Sequence, residues 1–266
     1  MLLVIDVGNT NTVLGLMDGV EVKAQVRMTT RPRTTDEVGI FMIQALQHRG
    51  IALEQLEGAI ICSVVPTVVY ELQKACARYL GLDALIVGRN LRTKIKVRTD
   101  NPREVGADRI VNAVAALERF GGPVIIVDFG TATTVDCVNA DGEYIGGAIA
   151  PGFRVSEEAL VSKTAKLPRV EVIRPERAIG RNTVSAIQSG LYFGYVGLVD
   201  ALARRCRAEL GGDPRVVATG GLASMLAQDS EVIQTVDPHL TLRGLALLFE
   251  RNRVSPRKAP ALELDD

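Results

Sequence analysis

Apolar residues along this chain form short runs with strand character and longer stretches with helical periodicity, so strands and helices are expected to alternate. A first strand is predicted from Leu2 to Asp6, and two more strands joined by a turn at Asp18-Gly19 complete an antiparallel three-stranded unit. A helix is predicted to begin near Thr34, because acidic residues follow it and are favoured in a first turn. The elements predicted after it are a strand over 58–64, a helix over 66–81, a strand over 84–87 and a helix over 105–120.

The pattern then restarts at Val124, with three strands in succession and a hairpin turn at Asp141-Gly142. A helix over 154–162 and a long helix from Thr183 to Leu210 are predicted next. The remaining predictions are a strand over 215–219, a short helix, a strand over 232–236 and a last helix over 240–253.

Two rounds of strand, hairpin and alternating helices predict an α/β fold of two domains with mixed sheets. We place the first domain at residues 1–120 and the second at 121–254, because the pattern restarts after Gly121-Gly122-Pro123. The stretch 255–266 is predicted to be a disordered tail.

Two short motifs at matching places in the two rounds nearly repeat each other. Asp6-Val7-Gly8-Asn9-Thr10-Asn11-Thr12 follows the first strand, and Asp128-Phe129-Gly130-Thr131-Ala132-Thr133-Thr134 follows the strand that begins at Val124. Either Asp alone could simply form an Asx-turn before glycine. As a pair, the motifs favour duplicated domains facing one nucleoside triphosphate, with carboxylates for a cation and with glycine, amides and hydroxyls for phosphate oxygens.

A third candidate segment is Gly106-Ala107-Asp108-Arg109, at the start of a predicted helix. An acidic residue there has an ordinary explanation, since the helix dipole favours it, but a cation at the same end is unfavourable. The pair therefore also suits a site in which Asp108 is a general base and Arg109 binds a carboxylate. With only two histidines in the chain, a carboxylate is the expected base.

Two further features have both a structural and a functional interpretation. Gly220-Gly221 after a strand is either a plain turn or a place where a base or ribose lies against bare backbone. The long helix carries small residues, which suit close packing within the chain or a dimer contact: Ser185, Ala186, Ser189, Gly190, Gly194 and Gly197.

Composition narrows the class of protein. The 31 basic and 31 acidic residues balance, which argues against nucleic acid as the main partner. The 4 cysteines have neither zinc-site nor Cys-x-x-Cys spacing, so we expect a reducing, cytoplasmic environment. The absence of a long apolar run or a charged leader leads us to expect no membrane span and no signal peptide.

Five segments together resemble type III pantothenate kinases, in order over about residues 1–253. They are the run beginning at Asp6, Asp100-Asn101-Pro102-Arg103-Glu104-Val105-Gly106-Ala107-Asp108-Arg109-Ile110-Val111-Asn112-Ala113, the run beginning at Asp128, Gly146-Gly147-Ala148-Ile149-Ala150-Pro151-Gly152 and Ala218-Thr219-Gly220-Gly221-Leu222-Ala223. The resemblance implies two RNase-H-like domains of the actin, sugar kinase and heat-shock ATPase superfamily. It also implies a homodimer that phosphorylates pantothenate with ATP, Mg²⁺ and a monovalent cation, K⁺ or NH₄⁺.

The same resemblance assigns roles to individual residues. Asp108 would be the base, Asp6 would hold magnesium with the phosphates, and Asp128 would bind the monovalent cation. Pantothenate would be held by Gly106, Ala107, Asp108, Arg109 and, across a dimer interface, Thr183. ATP would be held by Asp6, Val7, Gly8, Asn9, Thr10, Asn11, Thr12, Val13, Thr131, Gly220 and Gly221.

One position departs from the pattern that the resemblance implies. Thr99 stands where many members carry a substrate-contacting tyrosine, which places that contact in question. Two other functions stay open on the same fold: a non-catalytic regulator, since the family includes a transcriptional accessory factor, and a kinase acting on a sugar or acetate. Intact Asp6, Asp108 and Asp128 favour an enzyme, and the segment from Gly106 to Arg109 favours pantothenate by resemblance.

Overall fold

The computed structural model describes residues 1–88 and 91–253, so the predicted tail over 255–266 lies outside the described residues. The strands are β1 (Leu2–Val7), β2 (Asn11–Asp18), β3 (Glu21–Thr29), β4 (Gly58–Ser63), β5 (Ala84–Ile86), β6 (Val124–Phe129), β7 (Ala132–Val138), β8 (Tyr144–Pro151), β9 (Arg215–Gly220) and β10 (Thr235–Val236). The helices are α1 (Thr35–His48), α2 (Pro66–Leu80), α3 (Ala107–Phe120), α4 (Phe153–Ser162), α5 (Thr183–Leu210), α6 (Ala223–Leu226) and α7 (Leu240–Asn252).

Two five-stranded sheets repeat one topology, which confirms the predicted α/β fold with mixed sheets. The first has the order β3-β2-β1-β4-β5, and the second has β10-β9-β6-β7-β8, which is the same order read from the other edge. In each sheet the first strand pairs antiparallel with its hairpin partner and parallel with the strand after a helix. Asp6 and Asp128 therefore occupy equivalent positions near the carboxyl ends of β1 and β6.

The helices and sheets stack in layers around three apolar cores. Helices α1 and α2 cover the outer face of the first sheet, and α4 and α5 cover the outer face of the second. Between the sheets, α3 packs against α7, with α7 on β1 and β4 and α3 on β4, β6 and β7. The last helix thus returns from the second half of the chain to the first sheet.

Alternation along the strands decides which residues face this middle layer. Leu2 and Val4 of β1 belong to the middle core, whereas Leu3 and Ile5 belong to the outer core beneath α1 and α2. Because side chains of a strand alternate between faces, the next residue on the middle face of β1 is Asp6. The same alternation in β6 brings Asp128 to the middle layer after Val124 and Ile126.

Helix ends follow the signals in the sequence. Thr34 caps α1 by accepting from Glu37 N while the Glu37 side chain accepts from Thr34 N, which is a capping box. Pro66 stands in the first turn of α2, and Gly81 ends that helix in the left-handed conformation, with φ of 67°.

The predicted strand over 232–236 is wrong in its first part, since β10 contains Thr235 and Val236 only. Ser230 explains the difference, because its Oγ accepts hydrogen bonds from the backbone amides of Val232 and Ile233. A side chain that takes these donors competes with the strand ladder.

The small residues of α5 do not share one environment. Ser189 is buried and donates its hydroxyl to the Ala178 carbonyl, whereas Gly190, Gly194 and Gly197 are exposed. A Cβ added at any of these three glycines would meet no atom of the described residues within 4 Å. Gly190, Gly194 and Gly197 form an exposed glycine strip, a part of the outer side of α5 that carries no side chains.

Among the residues that the structure describes, no helix combines the length and the apolar character required to cross a membrane.

Asp237, just after β10, joins three elements through one buried carboxylate. Its side chain is fully buried and accepts from Arg119 Nη1 of α3 at 2.6 Å, from Arg243 of α7 and from the His239 backbone amide. The Asp237 amide in turn donates to Ala218 O of β9. This carboxylate therefore helps to fix both middle helices to the second sheet.

We predict that Asp237→Asn lowers the free energy of unfolding by about 3 kcal/mol, because it leaves two arginines without their buried partner. Urea unfolding at neutral pH measures the change. Arg78→Gln is the matched control: it breaks an ion pair with Asp36 whose side chains are 62% and 55% exposed, and should cost less than about 1 kcal/mol. Equal losses in the two variants would contradict the role given to Asp237.

Candidate active site

The two predicted glycine turns contact each other, and each is closed by a hydrogen bond from its glycine amide to a carbonyl three residues further on in the first turn and two residues further on in the second. In the first turn Gly8 N donates to Asn11 O at 3.0 Å, and in the second Gly130 N donates to Ala132 O at 3.1 Å. The hydroxyls of Thr10 and Thr131, one from each turn, are hydrogen-bonded at 2.9 Å. The structure therefore brings together the predicted phosphate-binding segments of the two halves.

The residues of the first motif have different surroundings. Asn9, Thr10 and Asn11 are exposed at the tip of the turn, whereas Val7 is a core residue and Val13 packs against the middle core. Thr12 is 2% exposed, and its hydroxyl pairs with that of Thr30 at 2.9 Å. In this structure the hydroxyl directed to the other turn is therefore that of Thr10 and not that of Thr12.

Asp108 enters the site from the first turn of α3. Gly106 caps the helix, and a Cβ added there would lie 2.5 Å from Asp108 Oδ1, so a larger residue would displace the carboxylate. The same oxygen accepts a hydrogen bond from Arg109 N at 2.8 Å. The sequence Gly-Ala-Asp thus permits a carboxylate to fold back over a helix terminus.

The carboxylate cluster, defined as Asp6, Asp108 and Asp128, concentrates negative charge in the middle layer. Burial, followed by repulsion from Asp128 and Asp108, raises the pKa of Asp6 from 3.8 to about 7. Burial and then the charge of Asp108 raise the pKa of Asp128 to about 6. Burial also raises the pKa of Asp108, against the hydrogen bond from Arg109 N.

A cation would relieve this repulsion, and the oxygen donors of the cluster suit a hard ion such as Mg²⁺, which commonly takes one or two carboxylates together with phosphate oxygens. Within the described residues, no three His, Cys, Asp or Glu side chains are arranged to hold a metal ion by themselves.

Asn112, which the sequence analysis did not single out as a site residue, holds Asp128 in place. It is 1% exposed, and its Nδ2 donates to Asp128 Oδ2 at 3.0 Å while its Oδ1 accepts from Thr241 Oγ1 of α7 at 2.7 Å. The hydrogen bond to Asp128 lowers the pKa of that carboxyl, opposing burial. Asn112 lies one helical turn after Asp108, and this i, i+4 spacing was the available signal.

Arg109 lies beside Asp108 but is already paired on one edge. Its Nε donates to Asp136 Oδ1 at 2.6 Å, and its guanidinium lies 5.8 Å from the ring centroid of Tyr144. Sequence reasoning missed Asp136, although a charged residue inside the apolar strand β7 is unusual and marks a polar partner.

Gly220 has a structural reason to be glycine. Its φ is 92°, and a Cβ there would lie 2.6 Å from Phe129 O and 2.7 Å from Asp128 Oδ1. In the part of the chain that the structure describes, a Cβ at Gly221 would meet no atom within 4 Å. Gly220 thus lets β9 approach the second glycine turn closely, and the predicted contact of this pair with adenosine stays a prediction.

Thr183 and Thr99 lie in other surroundings. Thr183 begins α5 and lines an open groove of about 630 Å³ with Leu160, Ile187 and Leu191, and no member of the carboxylate cluster lines that groove. The Thr99 hydroxyl is buried and has no hydrogen-bond partner among the described residues. Its neighbour Arg98 donates its amide to Tyr144 O, which places Thr99 near the partners of Arg109.

Comparison with known proteins gives the family of the chain and shows solved structures of similar fold. A model of the type III pantothenate kinase family matches residues 2–205. Among solved structures, a conserved putative Baf family transcriptional activator from Campylobacter jejuni is 17% identical, with a TM-score of 0.58 over 94% of this chain and 98% of that chain. The ethanolamine utilization protein EutJ from Carboxydothermus hydrogenoformans is 14% identical, with a TM-score of 0.51 over 92% of this chain and 89% of that chain. At these identities the solved structures show similarity of fold alone.

We predict that Asp6→Asn stabilises the protein at pH 8 but not at pH 4. A carboxyl whose pKa rises from 3.8 to about 7 on folding gives stability that is present below about pH 4 and lost as pH rises through about 7. Removing the charge should therefore raise the free energy of unfolding at pH 8 by an amount on the order of 2 kcal/mol. Urea unfolding at both pH values measures the difference.

Asp18→Asn is the control, because Asp18 is exposed at the end of β2 and its removal should change little at either pH. A gain for Asp6→Asn of the same size at pH 4 and pH 8 would rule out charge repulsion as its cause.

Proposed function

The chain belongs to the type III pantothenate kinase family, and from this premise we propose that it transfers the γ-phosphoryl group of ATP to the primary hydroxyl of pantothenate. The products are ADP and 4′-phosphopantothenate, the first intermediate towards coenzyme A. The observation that carries the proposal is the carboxylate cluster. In this cluster Asp108 of α3, whose pKa is raised, lies beside Asp6 and Asp128, which stand near the ends of equivalent strands in the two sheets.

Asp108 is the proposed general base. A carboxyl whose pKa is raised by burial is a better proton acceptor near neutral pH than an ordinary exposed one. Asp108 takes the proton of the substrate hydroxyl, the hydroxyl oxygen forms a bond to the γ-phosphorus, and the bond from that phosphorus to the bridging oxygen breaks. Such a reaction depends mainly on positioning and charge neutralisation.

The glycine turns are the proposed phosphate-binding elements. The exposed amides at their tips and the hydroxyls of Thr10 and Thr131 can exchange their present contact for phosphate oxygens. Asp6 is the residue proposed to hold magnesium with the phosphates, and Asp128 is proposed to hold the monovalent cation. When bound, the cations would neutralise phosphate charge.

Pantothenate binding is assigned to Gly106, Ala107, Arg109 and Thr183. Arg109 is the one cation among them, which suits an anionic substrate. Thr183 lines a groove apart from the carboxylate cluster, so we propose that it acts in the site of a second copy of the chain. The exposed glycine strip of α5 allows two such helices to approach closely.

The proposal is tested by ATP-dependent phosphorylation of pantothenate with and without potassium. Turnover that needs potassium would support both the kinase and the role of Asp128 in cation binding. Turnover without potassium would support the proposed kinase activity and would give Asp128 a role other than potassium binding. A folded protein that binds ATP without turnover would favour the non-catalytic regulator. Turnover with a sugar or acetate but not with pantothenate would show that the proposed substrate is wrong.

We predict that Asp108→Asn lowers kcat by about 10²–10⁴-fold, because the amide cannot accept the proton. Binding of ATP, measured by calorimetry, should change little. Glu104→Gln is the control: Glu104 is an exposed carboxylate in the turn just before α3, and its removal should leave kcat unchanged. Unchanged turnover in Asp108→Asn would remove Asp108 as the base.

A further inference from the structure

Asp136 is a carboxylate of the middle layer that lies outside the carboxylate cluster and accepts hydrogen bonds at both of its oxygens. Its side chain is fully buried. Oδ1 accepts from Arg109 Nε and from the Tyr144 hydroxyl, both at 2.6 Å, and Oδ2 accepts from Thr134 Oγ1 at 2.9 Å. Three donors directed to one carboxylate are expected where its geometry matters.

The position of Asp136 follows from the same alternation that places Asp128. In β7, Val135 and Cys137 face the outer core and Val138 faces the middle core, so Asp136 faces the middle layer. Arg109 reaches it from the first turn of α3. The ion pair therefore connects the helix that carries Asp108 to a strand of the second sheet.

The way in which Arg109 is held decides what it can still bind. A guanidinium is a rigid planar group with donors on separate edges. Asp136 uses the Nε donor, and neither Nη nitrogen makes a hydrogen bond to another residue in the described part of the chain. The Arg109 side chain keeps 15% of its surface exposed, and its guanidinium carbon lies over the ring of Tyr144.

We propose that Asp136 is a positioning residue that fixes Arg109 for binding of the anionic acceptor substrate. By holding Nε, it fixes the guanidinium plane, while Tyr144 restricts the carboxylate through its hydroxyl and borders the guanidinium with its ring. The Nη edge is then left for the substrate. The inference rests on the proposed function, in which Arg109 binds pantothenate.

The ion pair also has an electrostatic effect on its surroundings. The charge of Asp136 raises the pKa of Asp108 and of Asp128, whereas Arg109 lowers that of Asp108. Placing both charges together largely cancels them at the base. Loss of the Asp136 charge therefore leaves the charge of Arg109 uncancelled beside Asp108, which favours the ionised, proton-accepting form of that carboxyl.

Steady-state kinetics of Asp136→Asn tests the proposal. The amide keeps the shape of the side chain, and its single oxygen can still accept from the Tyr144 hydroxyl. Its NH₂ group faces Thr134 Oγ1 and can donate to that hydroxyl oxygen. The hydrogen bond from Arg109 Nε loses its charge assistance. We expect KM for pantothenate to rise about 10–100-fold, with kcat changed less than about threefold and KM for ATP unchanged. This is the pattern of lost substrate binding rather than of lost chemistry.

Coupling to Arg109 separates positioning from general damage to the fold. Calorimetric titration with pantothenate, in the presence of a non-hydrolysable ATP analogue, gives the Kd for wild type, Asp136→Asn, Arg109→Gln and the double variant. If Asp136 acts through Arg109, adding Asp136→Asn to Arg109→Gln should weaken binding no further. Additive losses, or a fall in kcat equal to the rise in KM, would overturn the proposal.

Two other variants guard against a simple failure to fold. Tyr144→Phe keeps the ring and removes one hydrogen bond to Asp136, so a smaller rise in KM for pantothenate is expected. Glu143→Gln changes the adjacent carboxylate, which pairs with Arg98 rather than Arg109, and should leave KM unchanged. An unchanged KM in both Asp136→Asn and Tyr144→Phe would also overturn the proposal. A wild-type protein that neither binds nor phosphorylates pantothenate would instead refute the proposed function, and this inference with it.

Discussion

The packing of α3 against α7 between the two sheets is the constraint on which the remainder of the site depends. A Cβ added to Gly244 of α7 would lie 2.3 Å from Val111 O of α3, so the two helices touch through their backbones. This contact fixes the depth of α3, whose first turn carries Asp108 and Arg109. Since Asn112 and Thr241 bridge the same two helices to Asp128, the geometry of the site is set by the core rather than by surface loops.

The carboxylate cluster shows how the fold produces an unfavourable but useful arrangement. Val4 of β1 and Ile126 of β6 face the middle core. Asp6 and Asp128 are the next residues on the same faces of these strands, so they lie in the middle layer as well. Burial at that point raises the pKa values of both carboxyls, which costs stability near neutral pH. Proteins commonly carry such costs where function requires buried charge. The apolar remainder of each strand supplies the offsetting stabilisation.

Much of this fold could be predicted from local patterns. Strand alternation, the turn at Asp18-Gly19 and the repeat of the two glycine motifs identified two similar sheets, and the boundaries of α5 were predicted at both ends. The strand over 232–236 failed at its first residues because the side chain of Ser230 caps two backbone amides. Such competition between side chain and ladder leaves no periodic signal in the sequence.

The partners within the site were harder to predict than its carboxylates. Repeated motifs identified Asp6 and Asp128, and an unusual charge order identified Asp108 and Arg109. In contrast, the pairing of Arg109 with Asp136 depends on where α3 crosses β7, which no local pattern specifies. The same holds for Asn112, because its role becomes visible only when Thr241 of the last helix returns to the middle layer. The domain boundary near residue 120 and the roles of the individual site residues remain predictions.

The raised pKa values of Asp6 and Asp128, about 7 and about 6, have a thermodynamic consequence for ligand binding. Near neutral pH a fraction of these carboxyls holds a proton, and a cation that binds them must displace it. Cation binding at this cluster, as proposed above, would therefore exchange protons for metal, and the apparent affinity for the cation would fall as the solution becomes acidic. The carboxyls would then release protons when the cation binds and take up protons when the cation leaves.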